Sequence, residues 1–187
     1  MPIALRDTVA GCVLDQPGAL PLGSPAAVLV PILDGDEPEV VFTRRSDSLR
    51  HHRGEISFPG GRPHPDDADL RATALRETHE ELGLPAEAID VAGCLEPVQA
   101  RVSGFTIVPF VGLLSERPEF VPSPDEIAEV IEIPLRDLLA IEEEREWEFE
   151  GGSYQTYAYV QDGHTVWGAT ARILKELLDG LRRGGWR

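Results

Sequence analysis

The chain has 187 residues, a net charge of −16, a hydrophobic fraction of 42% and a charged fraction of 27%. That length and balance suit one domain with a real core and at most a small appendage. The acidity argues against a general nucleic-acid binder, which needs a basic surface, but leaves room for a small phosphorylated substrate, because bound metal ions reverse the local sign.

Residues 1–24 are mixed in character, with breaks at Pro17–Gly18 and Pro21–Gly23, and read as an N-terminal arm holding at most a short helix; the domain proper is expected over 25–187. Nothing near Met1 resembles a signal peptide. The longest apolar run, Ala26–Leu33, is interrupted by Pro31 and too short to span a bilayer, so a cytoplasmic protein without membrane contact is expected. The two cysteines, Cys12 and Cys94, form no CxxC or Cys/His cluster, which argues against zinc and fits a reducing compartment.

The stretch "AAVLVPI" (26–32) predicts a buried strand, "DGDEP" (34–38) a turn, and "EVVFT" (39–43) a second strand hairpinned to the first. A basic loop, "RRSDSLRHHR" (44–53), leads to the turn signal "FPGG" (58–61). Asp69–Leu82 has helical period, with Leu70, Ala74, Leu75, Thr78 and Leu82 on one side. Asp69 or Asp67 can cap its start, Gly83 suits a left-handed C-terminal cap, and Pro85 forbids continuation. Ile89–Leu95 and Phe105–Leu114 read as strands, Asp125–Ile133 is ambiguous, and Pro134–Ile141 reads as a short helix. The acidic run Glu142–Glu144 reads as a solvated turn or helix end. Trp147–Glu150 and Tyr154–Val160 form an expected hairpin around Gly151–Gly152, and Thr170–Leu181 a closing amphipathic helix. Strands interleaved with helices imply an α/β protein whose mixed sheet is covered on both faces.

The segment "RETHEELGL" (76–84) is the chemical centre of the chain. At about 100° per residue, Glu77 and Glu81 stand one turn apart and Glu80 beside them, so all three share one stripe. Like charges at that spacing weaken a helix by a few tenths of a kcal/mol, roughly, and Arg76 offsets only part of this through Glu80. Helix stability therefore does not account for the pattern. An acidic solvent-facing stripe or a hard cation would, since Mg²⁺ and Mn²⁺ take carboxylate, water and phosphate oxygens.

Arg76, Glu77, Glu80, Glu81, Gly83 and Leu84 together resemble the Nudix box, GX5EX7REUXEEXGU, with U a bulky aliphatic. The resemblance implies a Nudix-type α/β/α sandwich and metal-dependent attack of water on a phosphorus of a substituted nucleoside diphosphate. Two departures stand out. Thr78 occupies the U position. Gly61 lies fifteen residues before Arg76, one more than the pattern, which leaves Ala68 where the outer glutamate belongs and Asp67 or Asp69 as its stand-in.

Upstream, "VFTRRSDSLRHHRGEISFPGG" (41–61) resembles the additional motif of the coenzyme A diphosphatase branch, LLTXTSX3RX3GX3FPGG. Thr43, Ser46, Arg50, Gly54 and Phe58–Gly61 fall on its fixed positions; Val41 and Phe42 replace the leucines, and Arg45 a threonine. "SGFTIVPFVG" (103–112) and "WGATARIL" (167–174) resemble later segments of the same branch, so the likeness covers about residues 24–178. It implies hydrolysis of the coenzyme A pyrophosphate to 3′,5′-ADP and 4′-phosphopantetheine. In that reading Glu77, Glu80 and Glu81 hold Mg²⁺ or Mn²⁺, and Glu80 and Glu81 serve catalysis. Arg44, Arg45, Arg50, Gly60, Gly61 and Phe105 contact substrate, while Arg76 orients a glutamate by a salt bridge and Gly83 supports the helix end. Phe105 stacks on adenine or belongs to the core. His79 points away from the glutamates. An acid outside the box, Asp125, Glu126 or Glu129, is a further candidate for the general base. Another Nudix substrate (ADP-ribose, a dinucleotide or an oxidised nucleotide) and a non-catalytic nucleotide sensor remain alternatives, and a homodimer is left open.

Overall fold

The apolar runs at 26–33 and 105–114 end up side by side. The computed structural model describes residues 4–18, 23–47, 54–100, 103–149 and 152–186. In chain order these form helix α1 (Leu5–Ala10) and strands β1 (Ser24–Leu33), β2 (Glu39–Arg45), β3 (Ile56–Ser57) and β4 (Gly60–Gly61), then helix α2 (Leu70–Leu82). Strands β5 (Asp90–Cys94), β6 (Val98–Gln99), β7 (Phe105–Leu114) and β8 (Ile127–Pro134) follow, then helix α3 (Leu135–Ala140). Strands β9 (Glu142–Phe149), β10 (Gly152–Gln161) and β11 (His164–Val166) lead into helix α4 (Gly168–Arg183).

β1 and β7 pair in parallel from Ser24↔Phe105 to Leu33↔Leu114. Near-continuous apolar sequence is what a central strand buried on both faces requires. The main sheet runs β3-β2-β1-β7-β5, with β8 beside β2, β4 beside β1 and β6 beside β7; β11-β10-β9 form a second sheet. Pro31 does not end β1. Leu29 donates outward to the Pro59 carbonyl, Pro31 faces the same side two residues on, and pairing with β2 begins only at Ile32, so no ladder donor is lost.

The main sheet is covered on both faces, as expected. Val30, Ile32 and Phe42 pack with Leu174, Leu177, Leu178 and Leu181 of α4, and Leu5 and Val9 of α1 join them. Ala27, Leu29, Val41 and Val108 pack on the other face with Ala74 and Leu82 of α2. Neighbouring residues of β1 thus serve opposite layers, the alternation a pleated strand imposes.

Two expectations change. The ambiguous segment at 125–133 is strand β8 from Ile127 onward, paired antiparallel with β2 from Glu39↔Pro134 to Arg45↔Ile127. The acidic run Glu142–Glu144 is neither turn nor helix end but the start of β9, paired with Tyr159, Ala158 and Tyr157. Glu142 is accommodated because the Tyr159 hydroxyl and Arg182 both donate to its Oε2 at 3.1 Å, with Lys175 Nζ 3.5 Å from Oε1. The expected hairpin forms with longer strands; its tip, residues 150 and 151, lies outside the described residues.

Truncating Leu178, fully buried on the inner face of α4, should destabilise the fold by about 2–5 kcal/mol. Urea unfolding of Leu178→Ala measures this; a loss well under 1 kcal/mol, roughly, would mean α4 does not close this core.

Candidate active site

Local chemistry sets both ends of α2. Asp69 caps the N-terminus by accepting from the Ala72 amide at 2.8 Å. Gly83 ends the helix in the left-handed region at φ 71°, its amide bonded to the His79 carbonyl. A side chain at Gly83 would also strike Val121, whose amide donates to the Leu82 carbonyl. The buried side of α2 carries Thr73, Ala74, Thr78 and Leu82. Thr78, where the box pattern has an aliphatic residue, is fully buried and donates its hydroxyl to the Ala74 carbonyl at 2.7 Å, so no polar atom is left bare.

The three glutamates meet different surroundings. Side-chain exposure is 3% at Glu81, 18% at Glu77 and 56% at Glu80. Strand β4 closes over the first two. A Cβ on Gly61 would lie 2.5 Å from Glu77 Cδ, and one on Gly60 would lie 2.3 Å from the Ala27 carbonyl oxygen. The Glu81 carboxylate takes a backbone hydrogen bond from Gly60 and lies 3.8 Å from Arg45 Nη1. Its Oε2 is buried and has no hydrogen-bond partner among the described residues. Burial pushes the Glu81 carboxyl up to about 8; Arg45 works against this, while Glu126 and Glu77 add to it. Burial also raises Glu77, against the pull of Arg76.

One guanidinium organises the rim. Arg76 Nε and Nη2 donate to the two oxygens of Asp67 at 2.9 and 3.1 Å. Nη2 also reaches the Arg62 carbonyl, and Nη1 lies 3.0 Å from Glu77 Oε1 and 3.1 Å from Glu80 Oε2. The paired Arg76 side chain holds the Asp67 carboxyl well below the usual carboxylate range, helped by the His64 amide and Thr73. Asp67 thus bonds Arg76 directly while Asp69 caps the helix, which separates the two acids the sequence left as alternatives. Arg76 Nη1 thus bridges Glu77 and the more exposed Glu80. His79 is exposed, its Nδ1 at the Leu84 carbonyl.

An orphaned buried carboxylate oxygen, a second half-buried carboxylate and a glycine backbone closed to any Cβ fit a hard divalent cation. Among the described residues no three His, Cys, Asp or Glu side chains form a ready-made cage. Remaining coordination would come from water and substrate, as is usual for Mg²⁺.

Beside these acids lies a cavity of about 260 Å³, lined by Val28, Phe58, Gly60, Gly61, Phe105 and Trp167 among others. Arg45 reaches into it; Arg44 does not line it and is bonded to Glu129 at 2.9 Å. Adjacent strand residues face opposite sides, which separates these two arginines. Phe105 lines the cavity with the Arg62 guanidinium 4.6 Å above its ring, so one face is already covered. Arg50, with His51, His52 and Arg53, lies outside the described residues. Glu126 stands near enough to raise both Glu77 and Glu81, whereas Glu129 is held by Arg44 and by His164 at 3.3 Å. Sequence reasoning missed Arg62, Ser103 and Thr170. A lone cation after "FPGG" is the only signal for Arg62, and Thr170 reads from sequence only as the start of the closing helix.

Residues 23–157 match the NUDIX domain family. The chain is 39% identical over 154 residues to a protein of Yersinia pestis (strain Pestoides F) named uncharacterized Nudix hydrolase NudL, covering 81% of this chain and 77% of that one. Among solved structures it resembles a MutT/nudix family protein from Enterococcus faecalis, with TM-score 0.58, 16% identity and coverage of 89% and 64%. It also resembles the MutT protein from Methanosarcina mazei Go1, with TM-score 0.55, 18% identity and coverage of 88% and 96%. The last two likenesses bear on the fold.

The two glycines of β4 should fail differently. Gly61→Ala meets only the movable end of Glu77, so the protein should fold while Mn²⁺ binding weakens by at least about tenfold. Gly60→Ala meets backbone and should cost about 2 kcal/mol or more of stability. Calorimetric Mn²⁺ titration and thermal melts separate the two, and equal behaviour would contradict the geometry.

The Arg76 clamp predicts an acid dependence. A carboxyl whose folded-state pKa is depressed adds stability above its unfolded value of about 3.9 and loses it as pH falls. The stability gap between wild type and Asp67→Asn, from denaturant unfolding at a series of pH values, should be full near neutrality and shrink below about pH 4. A pH-independent gap would contradict the pairing.

Proposed function

The chain belongs to the Nudix family of hydrolases acting on nucleoside diphosphate derivatives, and on that premise we propose that it cleaves the pyrophosphate bond of coenzyme A or its derivatives. The products would be 3′,5′-ADP and 4′-phosphopantetheine. The observation that carries this reading is the 41–61 motif, whose Phe58–Gly61 end forms one wall of the cavity beside Glu77 and Glu81. The apolar walls, Val28, Ile56, Phe58 and Ile107, suit a substrate with a long uncharged arm beside its phosphates.

Glu77 and Glu81 would hold Mg²⁺ or Mn²⁺, which when bound neutralises charge on the diphosphate and lowers the pKa of a water. Arg76 orients Glu77 and keeps Glu80 at the rim. Glu80 or Glu126 would accept the proton of the attacking water. Arg45 would face the phosphates from inside the cavity, while the absent Cβ atoms of Gly60 and Gly61 leave room for the Ala27 backbone and the Glu77 carboxylate.

Incubation with coenzyme A, ADP-ribose and a dinucleotide polyphosphate, with product identification by mass spectrometry, tests the substrate. Release of 3′,5′-ADP that requires a divalent cation supports the reading; intact coenzyme A alongside cleaved ADP-ribose overturns the narrower claim. Glu81→Gln, verified as folded, should lower kcat by at least about a hundredfold. Unchanged turnover would contradict the assignment of Glu81.

A further inference from the structure

Arg45 and Glu81 are oddly matched. Each keeps a buried polar atom without a hydrogen-bond partner among the described residues, Nε on the arginine and Oε2 on the glutamate. Their contact is an ion pair at 3.8 Å, longer than a hydrogen bond. The backbone of Arg45 is pinned: its amide donates to the Glu55 carbonyl, its carbonyl accepts from Gly54, and the register against β8 slips between Arg44 and Arg45. The side chain is less constrained, being 27% exposed and lining the cavity. A cation so placed faces a nearly dry carboxyl group without satisfying either partner.

We propose that Arg45 is an internal counter-ion that occupies the cation side of Glu81 in the metal-free protein and turns to the substrate diphosphate when a divalent ion takes its place. This rests on Glu77 and Glu81 being the metal ligands. Two cations cannot both sit close against one buried carboxylate without mutual repulsion, so entry of the ion expels the guanidinium. Expelled, it stays in the cavity beside Gly60 and Gly61, where its parallel donors match phosphate oxygens. The side chain is therefore a positioning and specificity residue coupling metal binding to phosphate binding, and metal-free protein is kept from gripping phosphate early.

The coupling fixes opposite signs for two affinities. Removing a competitor must tighten metal binding, and removing a phosphate ligand must weaken anion binding. Free Mn²⁺ counted by electron paramagnetic resonance, without any phosphate ligand, should show Arg45→Met binding the ion on the order of fivefold more tightly than wild type. Arg45→Lys, which keeps the charge, should return toward the wild-type value. With Mg²⁺ saturating, methylenediphosphonate should bind Arg45→Met about tenfold more weakly. Metal affinity that is unchanged or weaker in Arg45→Met overturns the proposal, because it means the arginine remains on the carboxylate beside the ion. If wild type binds Mn²⁺ no better than Glu81→Gln, the ligand assignment fails first, which distinguishes the two failures. A measurement on wild type stands should the variants not fold. Phenylglyoxal should modify Arg45 faster once Mg²⁺ is added and slower again with methylenediphosphonate, read by peptide mass spectrometry. No acceleration by Mg²⁺ overturns the proposal equally.

Discussion

Two carboxyl groups held together, one nearly dry and one half-buried, are the constraint on which the rest of the structure turns. Glu81 is nearly dry, with one oxygen unpartnered, and Glu77 stands beside it under the backbone of β4. Burying like charges side by side is unfavourable unless something positive answers them. In this fold part of the answer is Arg45 and Arg76, and the remainder is the property that suits the pair to a divalent cation. A chain carrying a net charge of −16 still gathers Arg45, Arg62 and Arg76 around this one region.

The supporting architecture follows from keeping that pair in place. α2 is capped at both ends by side-chain and glycine chemistry and seated on β1 through Ala74 and Leu82, so its acids project at a fixed height. β4 is two glycines because a Cβ on Gly60 would strike the Ala27 backbone and one on Gly61 would displace the Glu77 carboxylate. Arg76 ties the incoming loop, through Asp67 and the Arg62 carbonyl, to Glu77. On the proposed metal assignment this rigidity serves the ion: a carboxylate shifted by an ångström would no longer share it with its neighbour.

Much of this was legible in the sequence, and the parts that were not have a common cause. The ends of α2 are set by Asp69 and Gly83, which act within a few residues of themselves. The buried strands announce themselves by apolar content. By contrast, β8 holds its place by pairing with β2 across more than eighty residues of chain, and nothing within 125–133 encodes that partner. Glu142 looked like a solvated charge because Tyr159, Lys175 and Arg182, which neutralise it, are remote in sequence. The basic segment from Arg44 onward was visible as a patch, but which arginine enters the cavity depends on strand register, and only Arg45 of the neighbouring pair does. Asp67 and Asp69 were equivalent on paper; the extra residue before the helix brings Asp67 to Arg76 and leaves Asp69 to the cap.

The central claim is that Glu77 and Glu81 share a divalent ion under the Gly60–Gly61 backbone. Anomalous X-ray scattering from crystals of the protein grown with Mn²⁺ and a diphosphate ligand tests it most directly. The account predicts a peak within about 2–2.5 Å of oxygens from both carboxylates. A peak held elsewhere, with Glu81 still facing only Arg45, would contradict it.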